Sequence, residues 1–274
     1  MASIIVPAHN EAAVIQRCLD SLVTQAGVDT LIVACNGCTD NTFELVKAYS
    51  DVICLNIDKP SKTNALNEAE KHISSYPIFY LDADTQLQAG AIEKITQTLK
   101  QNPQLKLVAP TPKIDISKSS WLVRQYYKIW LSLPYIKSGV IATCSFIVTE
   151  QGRKRFDHFP DIINDDRFIH CQFAANEVSN IAGTEIYIQA PRSLYSLIKI
   201  KTRARLGNMQ LQQLGLCPEP KQKPYAKSMK ALLLSKHCVA AIVYYSIASL
   251  IRVRSWIQLK RIANYTWEKD LSSR

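Results

Sequence analysis

Two aspartates separated by one residue follow an apolar run in the first third of the chain. Asp82 and Asp84 come directly after PIFYL, a run typical of a buried β-strand. Carboxylates at the end of a strand are hard oxygen ligands, which Mg²⁺ or Mn²⁺ prefers when it bridges the phosphates of a ligand. Aspartate is also common in solvated turns after strands. The pair on its own is therefore consistent with a metal site or with a turn.

Three further polar segments follow the neighbouring predicted strands. Pro7, His9 and Glu11 lie where the first strand ends, Asn36 begins a polar loop after the second, and Lys62 follows the third. The carboxyl ends of parallel strands lie at one edge of an open α/β sheet, where such proteins bind ligands. We therefore expect these residues to meet the two aspartates. Together they offer hydrogen-bonding groups for a nucleotide base and a cation site for a diphosphate.

Strand-like and helical segments alternate along the first 110 residues. The predicted strands are Ser3–Val6, Thr30–Cys35, Val52–Ile57, Pro77–Leu81 and Leu105–Ala109. This spacing predicts an α/β fold with a Rossmann-like, mostly parallel sheet and helices on both faces. After Pro112 the pattern changes, with an aromatic-rich helix at Trp121–Trp130 and further strands predicted at Val140–Thr149 and Glu185–Gln189.

Charge divides the chain into a front region and a basic C-terminal region. The 274 residues carry a net charge of +10, and Arg192–Arg274 holds 16 Lys and Arg against 3 Asp and Glu. We therefore expect one domain over residues 1–191 that contains the chemistry. A basic helical region over residues 192–274 is expected to meet an anionic surface.

The basic region contains one apolar segment, residues 231–251. Its uninterrupted part, Cys238–Ile251, has 14 residues, fewer than the ~20 that a membrane-spanning helix needs. An interfacial helix would suit these residues, because the basic side chains that follow would bind anionic lipid headgroups. A solvated basic face over an ordinary helical subdomain is the other reading. The first residues lack the pattern of a signal peptide, so we expect a cytoplasmic protein, peripheral at the inner face of the membrane.

Four motifs, taken in order, resemble those of family-2 inverting glycosyltransferases of the GT-A fold. They are IIVPAHNEAAVIQRCLDSL, CNGCTDNT, KTNALNEA and LDADT, the last containing the Asp-x-Asp (DxD) pair, and they cover about the first 110 residues. Gly139 and the run GRKRFDHFP followed by DIINDD resemble the acceptor half of bacterial polysaccharide and cell-envelope members. The resemblance implies metal-dependent transfer of a hexose-like sugar from a nucleotide-sugar, expected to be a UDP-sugar, to an acceptor hydroxyl. Residues 1–112 would bind the donor and residues 113–191 a glycan or lipid-linked acceptor.

The resemblance also implies a donor site whose members bind the nucleotide or the metal. These residues are Pro7, His9, Glu11, Asn36, Lys62, Asp82 and Asp84. Asn36 stands where the family usually has an aspartate that bonds the base, and an asparagine offers both a donor and an acceptor there. Asp82 would touch the ribose or the donor sugar, and Asp84 would bind Mn²⁺ or Mg²⁺.

Asp165 and Asp166 match the family's Glu-Asp pair, with Asp in place of Glu at the first position. The resemblance implies that Asp166 is the general base that takes the proton of the attacking hydroxyl. The simpler reading is that Asn164 or Asp165 only caps a helix that starts at Asp166.

Two other classes of protein compete with an active enzyme. A catalytically inactive nucleotide-binding scaffold of a membrane-associated glycan assembly complex would explain why Asn36 and Asp165 depart from the family pattern. A nucleic-acid binder would explain the basic tail but not the aspartate pair or the polar loops. We therefore expect no nucleic-acid partner.

Overall fold

The computed structural model describes residues 1–133, 136, 144–218 and 237–262. It divides into a sheet unit, Met1–Ile114 with Gly139–Ile188, and a helical unit, Asp115–Ser138 with Gln189–Arg274. Residues 115–138 are thus grouped with the C-terminal region and not with the sheet unit. The expected strand residues 140–143, Gly139 and the apolar residues 231–236 lie outside the described residues.

The sheet unit is built on one eight-stranded sheet with the order β3-β2-β1-β4-β7-β6-β8-β5. Its strands are β1 (Ala2–Ala8), β2 (Val28–Asn36), β3 (Ile53–Ile57), β4 (Ile78–Leu81), β5 (Thr85–Leu87), β6 (Leu107–Asp115), β7 (Ser145–Val148) and β8 (Val178–Gln189). Strands β3, β2, β1 and β4 are mutually parallel. Strand β7 runs antiparallel to both β4 and β6, and β5 runs antiparallel to β8. The parallel half thus places the ends of β1, β2, β3 and β4 at one edge.

Helices cover this sheet. They are α1 (Ile15–Leu22), α2 (Thr42–Lys47), α3 (Lys62–Ala69), α4 (Ala91–Gln101), α6 (Glu150–Arg153) and α7 (Asp165–His170). Helix α1 buries Ile15, Cys18, Leu19 and Leu22, the spacing of one helical face. All seven residues of β1 are buried, as expected for a central strand with both faces covered. This is the α/β fold that the sequence predicts.

Two parts of the sheet differ from the sequence-based expectation. The strand predicted at Leu105–Ala109 exists as the longer β6, but it pairs antiparallel with β7. Strand β5 and the first half of β8 were not predicted at all. Periodicity identifies a strand but does not determine which strand it pairs with, and β5 is only three residues long.

The helical unit contains α5 (Trp121–Trp130), α8 (Leu194–Gln213) and α9 (Cys238–Leu259). Helix α9 has 22 residues, longer than the 14-residue apolar run, because Arg252 and Arg254 continue the helix. By length and composition alone α9 could cross a membrane, and 28% of its most apolar window is buried. The helix as a whole therefore has the length of a membrane-spanning helix, whereas its uninterrupted apolar run, Cys238–Ile251, has 14 residues.

Candidate functional site

A cleft opens beside the carboxyl ends of β1 and β4 in the sheet unit. Its lining includes Pro7, Lys62, Asp82, Asp165 and Asp166. These five predicted site residues come from four separate stretches of the chain. The remaining lining is supplied by Leu66, Tyr80, Leu81, Cys144, Ser145 and Phe146.

Lys62 joins two of the carboxylates in this cleft. It is the first residue of α3, which Ser61 caps by accepting a hydrogen bond from the backbone of Asn64. The Lys62 ammonium lies 2.7 Å from Asp82 Oδ1 and 3.0 Å from Asp165 Oδ2. Burial alone would lower the pKa of Lys62, but the two carboxylates outweigh it, and the pKa lies above its ordinary value. Lys62 therefore stays charged and holds both aspartates in place.

Asp165 and Asp166 differ in their surroundings although they are adjacent. Asp165 is 4% exposed and pairs with Lys62, whereas Asp166 is exposed at the rim of the cleft. The backbone N–H of Arg167 donates to Asp166 Oδ1 at 2.6 Å. Desolvation in the cleft and the charge of Asp165 raise the pKa of Asp166 to about 6. Asp166 is therefore the carboxylate of this pair that solvent can reach.

The structure shows whether Asn164 or Asp165 caps the helix that contains Asp166. Helix α7 begins at Asp165, one residue earlier than expected, with Asn164 as its N-cap residue. Asn164 makes no side-chain capping hydrogen bond, and the Asp165 side chain turns to Lys62.

The aspartate pair after β4 sits in a tight turn. The Asp82 carbonyl accepts hydrogen bonds from the backbone and side chain of Thr85, and Asp82 N–H donates to Cys144. Arg17 donates to the Asp84 carbonyl at 3.4 Å. Burial and the charges of Asp82 and Asp84 raise the pKa of Cys144 well above its usual range. Of the two aspartates, Asp82 is the one that lines the cleft.

The carboxylates of Asp82 and Asp84 are ligands of the kind that a hard divalent cation such as Mg²⁺ prefers. Within the described residues, no group of three His, Cys, Asp or Glu side chains could enclose a metal by itself. Mg²⁺ is typically held by one or two carboxylates, with phosphates and water completing its shell. The pair Asp82 and Asp84 supplies that number of carboxylates.

Asn36 lies at the end of β2 and is 4% exposed. Its Nδ2 donates to the backbone carbonyls of Ala8 at 2.9 Å and Ala34 at 3.2 Å. The backbone carbonyl oxygen of Asn36 lies 2.6 Å from His9 Nδ1. The expectation that Asn36 offers both a donor and an acceptor to a base is therefore wrong for the donor, which is used inside the protein. An ionised aspartate could not make these two donations, which gives a physical reason for asparagine at this position.

The loops after β1 and β2 are bonded to each other. Asn10, with φ +54°, accepts hydrogen bonds through Oδ1 from the backbone of Thr39 and Asp40. Gly37, with φ +55°, approaches Pro60 so closely that a Cβ would lie 2.6 Å from the Pro60 Cβ. A side chain at position 37 is thus excluded by strain and by contact. Glu11 belongs to the same assembly, and its backbone N–H donates to Thr42 at 2.7 Å.

Sequence reasoning missed the wall of the cleft. Tyr80 is buried, stacks on Phe146 with 4.6 Å between ring centroids, and donates its hydroxyl proton to Glu70. Arg153 Nε donates to the same carboxylate at 2.8 Å. Tyr80 lies inside the run PIFYL, which carries only a strand signal, so nothing in the local sequence marks these residues.

The chain is similar to known proteins both in sequence and in fold. A chondroitin synthase from Pasteurella multocida is 36% identical over 116 residues, which are 40% of this chain and 12% of that protein. The chain thus spans about an eighth of that relative. The mannosyltransferase PcManGT from Pyrobaculum calidifontis, solved with GDP-Man and Mn²⁺, covers 96% of this chain and 79% of its own at 17% identity and a TM-score of 0.61. Glucosyl-3-phosphoglycerate synthase from Mycobacterium tuberculosis, solved with Mn²⁺, UDP and glucosyl-3-phosphoglycerate, covers 81% of both chains at 17% identity and a TM-score of 0.57.

At these identities the two structures are evidence of a shared GT-A glycosyltransferase fold. The family model described as Glycosyl transferase family 2 matches residues 3–156. That segment includes Asp82 and Asp84 and ends before Asp165 and Asp166. Because it is more than half of the chain, the protein belongs to glycosyl transferase family 2.

Proposed function

We propose that this protein is a metal-dependent inverting glycosyltransferase. It would transfer a sugar from a UDP-sugar to a hydroxyl of a glycan or lipid-linked acceptor in polysaccharide or glycolipid synthesis. The observation that carries the proposal is the presence in one cleft of an exposed Asp166 and of an ion network in which Lys62 joins the buried Asp165 to the partly exposed Asp82.

Asp166 acts as the general base in this proposal. The acceptor oxygen forms a bond to the anomeric carbon as the bond from that carbon to the diphosphate breaks, and the hydroxyl proton passes to Asp166. Attack from the face opposite the leaving group inverts the anomeric configuration. A carboxylate with a pKa of about 6 is ionised at neutral pH and lies close to the value that favours proton transfer there.

Lys62 and the loops after β1 and β2 orient the donor. Lys62 holds Asp82 toward the ribose or the donor sugar, while Pro7, His9 and Glu11 form the base pocket. Asn36 supports this pocket through the hydrogen bond that its Nδ2 donates to the Ala8 carbonyl at the end of β1. Prepositioned groups of this kind lower the barrier because the substrates need not be aligned in the transition state.

Asp84 is our choice for the metal ligand because Asp82 Oδ1 is engaged by Lys62. A bound Mn²⁺ or Mg²⁺ would stabilise the negative charge that grows on the departing diphosphate. The two solved structures contain Mn²⁺ with UDP in one case and with a GDP-sugar in the other. They support the use of a metal, whereas the assignment of UDP as the nucleotide rests on the motif resemblance.

The test begins with the thermal unfolding midpoint of the protein with UDP or GDP, each with and without Mn²⁺. A ligand at about 100 times its Kd adds about 2.7 kcal/mol of stability. We expect a metal-dependent shift with UDP that is lost in Asp84→Ala and kept in Asp161→Ala, an exposed control. A shift of the midpoint with GDP but not with UDP would mean that the donor is a GDP-sugar. No shift with either nucleotide would contradict the proposal.

The inactive scaffold differs from the enzyme in turnover. It would bind the nucleotide and metal but release no UDP from UDP-sugars with any acceptor. UDP release that requires acceptor and disappears in Asp166→Asn would eliminate it.

We further propose that the helical unit attaches the protein to an anionic membrane surface on the cytoplasmic side. Along α9, six large apolar side chains are exposed: Val239, Ile242, Leu250, Val253, Trp256 and Ile257. At 100° per residue they fall within about 120° of one another, on a single face. The basic residues Arg252, Lys260 and Arg261 are exposed near the C-terminal end of α9. The Lys260 ammonium lies 3.7 Å from the centre of the Trp256 ring.

This arrangement suits a helix lying in the interface, with apolar side chains in the acyl region and cations at the headgroups. The full chain should float with vesicles of phosphatidylglycerol and bind weakly to phosphatidylcholine alone. Binding should decrease when salt screens the headgroup charge. Equal binding to both lipids would contradict a role for the basic residues.

A further inference from the structure

The segment that joins α6 to α7, residues 154–164, is anchored at its start by an ion pair. The segment contains neither a helix nor a strand, so side chains must fix its course. Arg153, the last residue of α6, donates to the backbone carbonyls of Phe156 at 2.6 Å and Asp157 at 2.9 Å. Its Nε donates to Glu70, the residue after α3, at 2.8 Å. The beginning of the segment is therefore tied to the end of α3.

Asn67 anchors the middle of the same segment. Its Nδ2 donates to the backbone carbonyl of Phe159, and its Oδ1 accepts from the Phe159 N–H, both at 2.9 Å. A carboxamide can make both bonds at once, whereas an ionised aspartate cannot donate and a leucine can do neither. Asn67 belongs to α3, the helix that begins with Lys62. Its neighbour Leu66 lines the cleft, while Asn67 itself is not among the described residues of that lining.

Phe159 packs between the cleft wall and α7. It is 1% exposed, and its ring centroid lies 5.6 Å from that of Tyr80 and 6.4 Å from that of Phe168. Phe156, earlier in the segment, meets Phe168 edge to face at 5.7 Å. Phe168 and Asp166 belong to the same short helix, α7. The helix that carries Asp166 therefore rests on the segment that Asn67 holds.

Helix α3 thus fixes α7 at two points. At its start, Lys62 pairs with Asp165 at 3.0 Å. Farther along, Asn67 holds Phe159, on which α7 packs. The Asp166 carboxylate accepts a hydrogen bond from the backbone of its own helix, at Arg167. The position of that carboxylate therefore depends on the position of α7.

We propose that Asn67 is a positioning residue for the general base, which holds Phe159 and thereby fixes α7 and the Asp166 carboxylate. This inference rests on the proposed role of Asp166. Asn67 acts on the geometry of the acceptor side, so its loss should slow transfer and leave donor binding unchanged. A misplacement of about 1 Å can cost about 10²-fold in rate. We therefore expect kcat to fall about 10- to 100-fold in Asn67→Leu, with the KM for the donor and the affinity for UDP with Mn²⁺ unchanged.

The first measurement is hydrogen–deuterium exchange of the full chain without ligands. The amides of α7 should exchange faster in Asn67→Leu than in the native protein, while those of β1 and β4 stay protected and show that the sheet is intact. The matched control is Gln25→Met. Gln25 is another buried amide, 8% exposed, which donates to the Gln88 carbonyl at 2.8 Å and accepts from the Gly90 N–H at 3.0 Å. Its loss should leave the exchange of α7 as in the native protein.

Unchanged exchange of α7 in Asn67→Leu, or the same acceleration in Gln25→Met, would overturn the inference, because the effect would then be absent or one of general stability. Steady-state kinetics give the second readout. An unchanged kcat in Asn67→Leu, or a matching loss of UDP affinity, would also overturn it. If Asp166→Asn retains transfer, the proposed function loses its base, and the exchange of α7 still decides whether Asn67 fixes this helix.

Discussion

The cleft of the sheet unit and helix α9 of the helical unit depart from ordinary burial in opposite directions. In the cleft, charged groups are withdrawn from water and paired, with Asp165 buried against Lys62. On α9, large apolar side chains such as Val253 and Trp256 are left in water. Buried charge and clustered exposed apolar surface are both costly unless a function requires them. The comparison supports the two proposals, a site for polar ligands in the sheet unit and a membrane-binding surface on α9.

The largest effect is expected at Asp166, the proposed general base. Asp166→Asn keeps the size of the side chain but removes the proton acceptor, so transfer should fall about 10²- to 10⁴-fold. Steady-state rates together with UDP affinity check this, since donor binding should be unchanged. The control is Asp161→Asn, an exposed carboxylate whose loss should leave the rate alone. Retained transfer in Asp166→Asn would remove the general base from the proposal.

The next effect sharpens the contrast between buried and exposed charge. Lys62→Met leaves Asp165 buried without its cation and should lower the free energy of unfolding by about 3 kcal/mol. Chemical denaturation measures the change. Lys59→Met is the matched control, because Lys59 pairs with Asp161 at 3.7 Å and both side chains are exposed. Its cost should stay below about 1 kcal/mol, and equal costs for the two variants would mean that the ion network is not structurally important.

A smaller loss is expected from restoring the residue that the family usually has at position 36. Asn36→Asp places a carboxylate against the carbonyls of Ala8 and Ala34 and should cost about 1–3 kcal/mol of unfolding free energy at pH 7. Part of this loss should be recovered as the pH falls, because a protonated aspartate can donate one hydrogen bond. Asn56→Asp, at an exposed position of β3, is the control. A neutral effect at position 36 would show that the inward hydrogen bonds contribute little.

The pH dependence of transfer tests the electrostatics of the cleft. Because the pKa of Asp166 is raised to about 6, the base is protonated below that pH, and kcat/KM should fall as the pH drops through about 6. Asp165→Asn removes the adjacent negative charge and should move this acidic limb to lower pH. An acidic limb in the same place in the variant would contradict the assignment of Asp166 as the titrating group.

The smallest effect on stability is expected on α9. Val253 is 57% exposed, so Val253→Glu should change the free energy of unfolding by less than about 0.5 kcal/mol while reducing binding to phosphatidylglycerol vesicles. Ile53→Glu makes the same change at an exposed position of the sheet unit and should leave vesicle binding intact. If Val253→Glu binds vesicles as the native protein does, the exposed apolar face of α9 is not the membrane-binding surface.

Sequence reasoning identified the parallel half of the sheet and most of the cleft's charged residues. Asp82, Asp84 and Lys62 could be placed near one another because they follow strands whose carboxyl ends share an edge. The antiparallel pairing of β6 and the length of β8 could not be predicted, because pairing depends on residues far apart in the chain. Tyr80, Glu70 and Arg153 were missed for the same reason, as their network joins positions up to 83 residues apart.

The sequence by itself determined the fold class, the family and the order of polar loops, since local periodicity and short motifs carry that information. Tertiary structure decided which groups are accessible. It separated Asp165 from Asp166 and turned the Asn36 amide inward. Neighbouring residues in a chain share composition and local pattern. Burial and charge pairing are set by what the rest of the fold brings against each side chain, and only the packed molecule contains that information.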